Sequence, residues 1–328
     1  EAWYACPDSS RVTFCLSFAV ETYDLTKRYG NFRALDRLNI KIETSRIRVL
    51  LGPNGSGKTT FLHLISTVLR PSEGTASVLG YDIVRQQLQV RRLVAIAFQD
   101  PRGFWRHKPK HILSFHASMY GVREPERSKI VERTLKEFEL WDSKDKKFMD
   151  LSGGQAKRLE VAKLFVSPPR LALLDEPTAM VDLDGKRLVW DKIKELSERG
   201  STIIVATNEV REAEYLADKI TIFSSGKDVV TDTLSNLKDS VRGGDVVDLE
   251  FAEPATSFVV EIIRTIPGTV GIMEVDPRHL RVSVTRSEDW LPIAVKHLQG
   301  VRIQSIHITE PSLDDIFMTI VKPRKSVA

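Results

Sequence analysis

With 328 residues, 42% of them hydrophobic and 28% charged, the chain has the make-up of a globular protein long enough for one large domain and a small one. Its formal net charge of +4 is too small to argue for a nucleic-acid partner, and no stretch approaches the roughly 20 apolar residues needed to span a bilayer. Residues 1–20 read as an irregular extension ending in the first strand. The apolar run 12–20 is short, and acidic Glu1 and Asp8 precede it where a signal peptide needs positive charge. Both cysteines, Cys6 and Cys15, lie in this extension, so they define no disulfide framework or metal site in the folded part.

The apolar run 47–51 predicts a buried strand, and 61–65 has helical character. Between them lies Gly52-Pro53-Asn54-Gly55-Ser56-Gly57-Lys58-Thr59. Strand, glycine loop and helix in that order are the setting of a phosphate loop, whose backbone N–H groups close around phosphate oxygens. Lys58 then adds charge at the terminal phosphates, Thr59 ligates magnesium, and Thr60 completes the nucleotide contacts. Helical spacing recurs over 110–120 and 130–138, with Phe115 and Tyr120 expected to pack internally. His63, His107, His111 and His116 show no metal spacing with acidic partners and are read as structural.

Further on, Leu151-Ser152-Gly153-Gly154-Gln155 opens a helix continuing through 157–162, so the N–H groups of Ser152, Gly153 and Gly154 make an anion site with the helix dipole. The strand 171–174 delivers Asp175 and Glu176 at its C-terminal edge, where parallel sheets place their ligands. Asp175 is expected to hold the Mg²⁺ shell and Glu176 to polarise water. A final core strand, 202–207, precedes Asn208 and a helix over 209–214.

Taken together and in order, these motifs resemble an ABC transporter ATPase, over roughly residues 20–235. The resemblance implies that Tyr29 stacks on adenine. Gln99, in Phe98-Gln99-Asp100, joins the metal shell and couples nucleotide to the membrane subunit. A groove near Phe104, Trp105 and Gln99 receives a short cytoplasmic helix of that subunit. It also implies a head-to-tail dimer with a second ATPase chain, in which Ser152, Gly153, Gly154 and Gln155 of one chain close on ATP held by the other. Asp182 crosses to the facing site, although Met180-Val181 replaces the usual Gly-Leu before it. Asn208 stands where the family places a histidine against the γ-phosphate. Asparagine can donate a hydrogen bond but is shorter and passes no proton near neutral pH. Either Asn208 still orients the phosphate and Glu176 suffices as base, or the site is an ATP-gated clamp with little turnover.

Beyond the polar linker 239–245, the pattern reads as strands 246–251, 269–274, 280–284 and 303–308, with helices 257–265 and 290–299. That is the βαββαβ order of a ferredoxin-like domain. The segment 310–317 resembles the ending of exporter-type ATPases of the drug, polysaccharide and haem branch. The expected class is therefore α/β: an ABC-type phosphate-loop ATPase domain over 21–238, with a helical subdomain about 100–165, and a small α+β accessory domain over 245–322. ATP and Mg²⁺ are the implied ligands. The resemblance further implies a separate transmembrane permease that holds the chain at the cytoplasmic face, and no nucleic-acid partner is expected. A DNA-repair ATPase would need a long coiled-coil insertion before the signature, and a translation factor of this kind usually carries two cassettes.

Overall fold

The structure, a computed structural model, describes residues 17–100, 105–240, 245–309 and Leu313. The chain divides into two compact units, Glu1–Asp228 and Val229–Ala328.

The first unit opens with β1 (Phe18–Tyr29), β2 (Phe32–Leu38) and β3 (Lys41–Glu43), then β4 (Ile47–Leu51) and α1 (Lys58–Ile65). Next come β5 (Glu73–Val78), β6 (Tyr81–Asp82), α2 (Gln87–Leu93) and β7 (Val94–Ala97). Three helices follow: α3 (Pro109–Met119), α4 (Glu126–Glu137) and α5 (Gly153–Val166). The core then closes with β8 (Leu171–Asp175), α6 (Leu183–Glu198), β9 (Thr202–Thr207), α7 (Val210–Leu216) and β10 (Lys219–Ser224), and β11 (Lys227–Asp232) runs across the boundary at Asp228.

The main sheet has the order β11-β10-β4-β9-β8-β7. From β10 to β7 its neighbours are parallel. Strands β4, β8 and β9 are buried at every position, as a sheet covered on both faces requires. Their register pairs Leu51 with Thr207 and Asp175 with Ala206. The three C-terminal ends therefore lie side by side at the edge where open parallel sheets bind ligands. An antiparallel sheet, β2-β1-β5-β6 with β3 on β1, carries the hairpin in which Tyr29 faces Phe32.

Helices α3 and α4 pack on each other and on α5. The buried stripe of α3 is Ile112, Leu113 and Ala117, and Phe115 falls off it. The expectation that Phe115 and Tyr120 pack internally is corrected: they are 54% and 37% exposed, Tyr120 lying against the His116 ring.

On β4, the buried Arg48 guanidinium reaches Glu43 and the Thr221 hydroxyl. Burial opposes ionisation of Glu43, but hydrogen bonds and charge from Lys219 and Arg48 prevail and lower its pKa from 4.5 to about 2. A depressed carboxylate contributes stability above its unfolded pKa and loses it as pH falls through the folded value. Glu43→Gln is expected to cost about 1–2 kcal/mol in urea unfolding at pH 7, because it leaves Arg48 without its carboxylate. The gap from the parent should close as pH falls from 4.5 toward 2; a gap constant with pH would exclude this ion pair as its source.

The second unit contains α8 (Leu234–Ser240), β12 (Asp245–Phe251), α9 (Ser257–Thr265), β13 (Thr269–Asp276), β14 (His279–Val284), α10 (Ser287–His297) and β15 (Ile303–Thr309). From β12 onward this is the expected βαββαβ order, built as an antiparallel sheet β13-β14-β12-β15. Val247, Leu249 and Phe251 of the sheet pack with Val259 and Ile263 of α9 and Trp290 of α10. Helix α10 starts at Ser287, earlier than the apolar pattern predicts, because Glu288 and Asp289 occupy its first turn, where acidic residues favour the helix dipole. The extension 1–16, linker residues 241–244 and, apart from Leu313, the segment 310–317 lie outside the described residues.

Candidate nucleotide-binding and hydrolysis site

Two glycines explain why the loop after β4 takes its shape. Gly57 caps α1 with φ 105°, and a Cβ there would lie 2.6 Å from the Ala34 carbonyl. A Cβ on Gly52 would meet the Phe223 carbonyl at 2.5 Å. Both positions exclude a side chain, so the loop backbone packs closely there and residues 54–60 line an open cleft of about 320 Å³. Tyr29, Phe32, Ala34, Gln99 and Glu176 complete its lining.

Lys58 is buried, and its Nζ donates to the Gly52 and Pro53 carbonyls at 2.7 and 3.1 Å. Burial lowers its pKa, while Glu176 and Asp175 pull it back up. Thr59 Oγ1 donates to Asp175 Oδ1 at 3.1 Å. Asp175 is 1% exposed, yet its Oδ2 has no hydrogen-bond partner, and neither has the buried Ser56 Oγ. Burial pushes the Asp175 pKa up against the Thr59 hydrogen bond and the charges of His63, Lys157 and Lys58. A buried carboxylate oxygen left unmatched beside a threonine hydroxyl fits a hard divalent cation, which takes oxygen ligands.

Glu176 follows at the strand end with φ 48°, a left-handed conformation that residues with a side chain rarely adopt. That turn swings its carboxylate into the cleft. Burial raises its pKa; Lys58 opposes this, Glu212 adds to it, and the Asn208 backbone N–H steadies the charged form. Asn208 also ties its side chain to the loop, Nδ2 donating to Asn54 Oδ1 at 3.1 Å.

The remaining expected site residues lie elsewhere on this chain. Ser152 caps α5 in a reciprocal box with Gln155, whose side chain also reaches Ser143. Asp182 caps α6, accepting from the Gly185 N–H at 2.8 Å. None of Ser152, Gly153, Gly154, Gln155 and Asp182 lines the cleft. In the unusual Met180-Val181 pair, Met180 takes φ 62° where glycine is usual, and it is 75% exposed. Trp105 is exposed, and Phe104 lies outside the described residues.

Three residues here were missed by sequence reasoning. Phe32 lines the cleft opposite Tyr29, and the Gly30-Asn31 turn was a signal that the two would pair. Glu212 is 1% exposed and accepts from Thr178 Oγ1 and Trp190 Nε1 at 2.8 and 2.9 Å. Lys157 is buried beneath Gln99 and Asp175. On a helix rich in charge, neither Glu212 nor Lys157 differs in pattern from a solvated residue.

A glycine loop joining strand to helix at the ligand edge of a parallel sheet, faced by paired carboxylates, defines a phosphate-loop nucleotide hydrolase. The ABC transporter family matches residues 35–179, and the C-terminal domain of DrrA1-3-like ATP-binding proteins matches 233–321. Daunorubicin resistance ATP-binding protein DrrA2 of Streptomyces coeruleorubidus is 32% identical over 94% of this chain and 96% of its own. Nod factor export ATP-binding protein I of Rhizobium etli is 26% identical over 92% and 93%. Among solved structures, the ATP-binding subunit of an ABC transporter superposes with TM-score 0.62 at 24% identity, over 67% of this chain and 92% of its own. A dimeric ATP-binding cassette in a post-hydrolysis state with ADP and Pi gives TM-score 0.62 at 24% identity, over 66% and 98%. The chain belongs to the ABC transporter ATP-binding proteins and is an ABC ATPase. No described helix is long and apolar enough to cross a membrane.

Proposed function

We propose that this chain hydrolyses ATP to power export through a separate membrane subunit, working as one of two ATPase chains that close head to tail on nucleotide. The carrying observation is the shared cleft of phosphate loop, Gln99 and Glu176, with the unmatched Asp175 Oδ2 beside Thr59. Export is the direction because the relatives named above act in drug resistance and Nod factor export.

In this reading Tyr29 carries the adenine ring, and residues 52–60 with Lys58 bind the phosphates. Thr59, Asp175 and Gln99 would hold Mg²⁺, which supplies charge neutralisation at the phosphate oxygens when bound. Glu176 accepts the proton of the attacking water, and its raised pKa brings it closer to the range where a base works at neutral pH. Asn208 ties the phosphate loop to the end of β9 through its side-chain bond to Asn54.

Gly153 and Gly154 support the two-chain arrangement. Glycine weakens a helix by about 1 kcal/mol relative to alanine. A Cβ on either would nevertheless meet its own chain only at 3.8 and 3.6 Å, ordinary contact distances. Nothing among the described residues calls for glycine there, whereas a phosphate held by a second chain would. Permease docking near Trp105 and Gln99 places the assembly at the cytoplasmic face.

The test is phosphate release with Mg-ATP at several protein concentrations. Turnover rising more steeply than protein concentration supports paired sites; strict proportionality across a range in which the chain is monomeric overturns them. The clamp reading is favoured by one observation, the Asn208 side chain spent on Asn54. Asn208→His is expected to raise kcat about tenfold by supplying a group that can carry a proton. An unchanged or lower rate would mean that position 208 does not limit turnover.

A further inference from the structure

Lys157 is an unusual residue to bury. It is 1% exposed on α5, two residues past the Leu151–Gln155 motif, and it contacts no carboxylate through a hydrogen bond in the described residues. Its three ammonium donors go instead to three main-chain carbonyls: Phe98 at 3.0 Å, Gln99 at 2.7 Å and Asp175 at 3.1 Å. Glu160, one turn along and 2% exposed, accepts from the Phe98 N–H at 3.3 Å and pairs with Lys163. One face of α5 thus holds both polar groups of the Phe98 backbone, the carbonyl of Gln99 and the carbonyl of the last residue of β8. An apolar side chain would fill the same volume without the cost of burying a cation. Burial depresses the Lys157 pKa, while the surrounding carboxylates of Glu160, Asp175, Glu176 and Glu212 favour its charged form.

We propose that Lys157 is a positioning residue: by binding the carbonyls of Gln99 and Asp175 from α5, it sets where the Gln99 and Glu176 side chains stand in the cleft, and couples them to the Ser152–Gln155 end of the same helix. This rests on the hydrolytic reading above. Anything that engages the start of α5 then acts on Gln99 and on the Asp175-Glu176 peptide through one ammonium group. Its donors are spent on main-chain carbonyls, and Lys157 is not among the residues lining the cleft. Its loss affects the rate through misplacement, where an error near 1 Å can cost about 100-fold.

The experiment compares the full chain with Lys157→Met and Lys157→Arg, in three measurements. Phosphate release gives kcat and KM, a fluorescent ATP analogue gives affinity, and hydrogen exchange follows peptides spanning 94–100, 171–178 and 202–207. Lys157→Met is expected to lower kcat about 10- to 100-fold with affinity within about threefold. Exchange should quicken at 94–100 and 171–178 and stay unchanged at 202–207. Lys157→Arg, which keeps charge and donors, should recover a large part of kcat and protect both segments. Unchanged exchange at both segments, or a loss of affinity as large as the loss of kcat, overturns the proposal. If Lys157→Met fails to fold, Lys157→Gln, which keeps two donors without the charge, takes its place: exchange must quicken at 94–100 and 171–178 and not at 202–207. The exchange measurements require no turnover, so a parent chain without ATPase activity would count against the hydrolytic reading while the positional claim is still judged.

Discussion

Glu176→Gln is expected to lower kcat for ATP hydrolysis by about 1,000-fold while leaving nucleotide affinity within a few-fold of the parent. The amide keeps the shape and volume of the carboxyl but cannot take a proton from water. The local geometry makes the substitution clean. Glu176 sits at φ 48° immediately after β8, and its own N–H is held by the Ala206 carbonyl at 2.8 Å. Those backbone constraints are unaffected by the change. With binding intact and chemistry blocked, Mg-ATP should drive the variant into a stable pair of chains on size exclusion. A kcat within about fivefold of the parent would remove Glu176 as the base.

Lys58→Ala is expected to fail one step earlier. The ammonium lies within the loop, bound to the Gly52 and Pro53 carbonyls at 2.7 and 3.1 Å, and in the proposed reading exchanges those partners for phosphate oxygens. A hydrogen bond to a charged group contributes about 1.5–3 kcal/mol, so losing this cation should weaken ATP binding roughly a hundredfold and abolish measurable turnover. Titration with a fluorescent ATP analogue checks this. Near-parental affinity would show that the loop N–H groups hold the phosphates without Lys58. Because one variant loses binding and the other keeps it, the pair separates recognition from chemistry.

The reading of Asn208 changes once its surroundings are known. From sequence it is a shorter substitute for histidine. In the fold its side chain engages Asn54 of the phosphate loop. Its amide is thus already committed to that loop, which the sequence does not reveal. Met180 is the reverse case, since its departure from the usual glycine was visible in sequence. That it stands in a left-handed backbone conformation beside Gly153 and Gly154 was not.

What the sequence determined by itself was whatever depends on neighbours along the chain. Glycine spacing at 52–57 marks a loop between strand and helix, apolar runs dictate buried strands, and Ser152 with Gln155 dictates a helix start. The βαββαβ order of the second unit was legible for the same reason, because each element declares its own period. Tertiary structure decided everything that depends on strand order. Placing β9 between β4 and β8 is what brings Asn208 to Asn54 and Glu176. Pairing β1 with β2 sets Phe32 beside Tyr29. Packing α5 under the ends of β7 and β8 turns Lys157 from an apparent surface cation into a buried one. A charge on a helix carries no mark of its burial in the sequence, since that depends on which carbonyls a distant strand end presents to it.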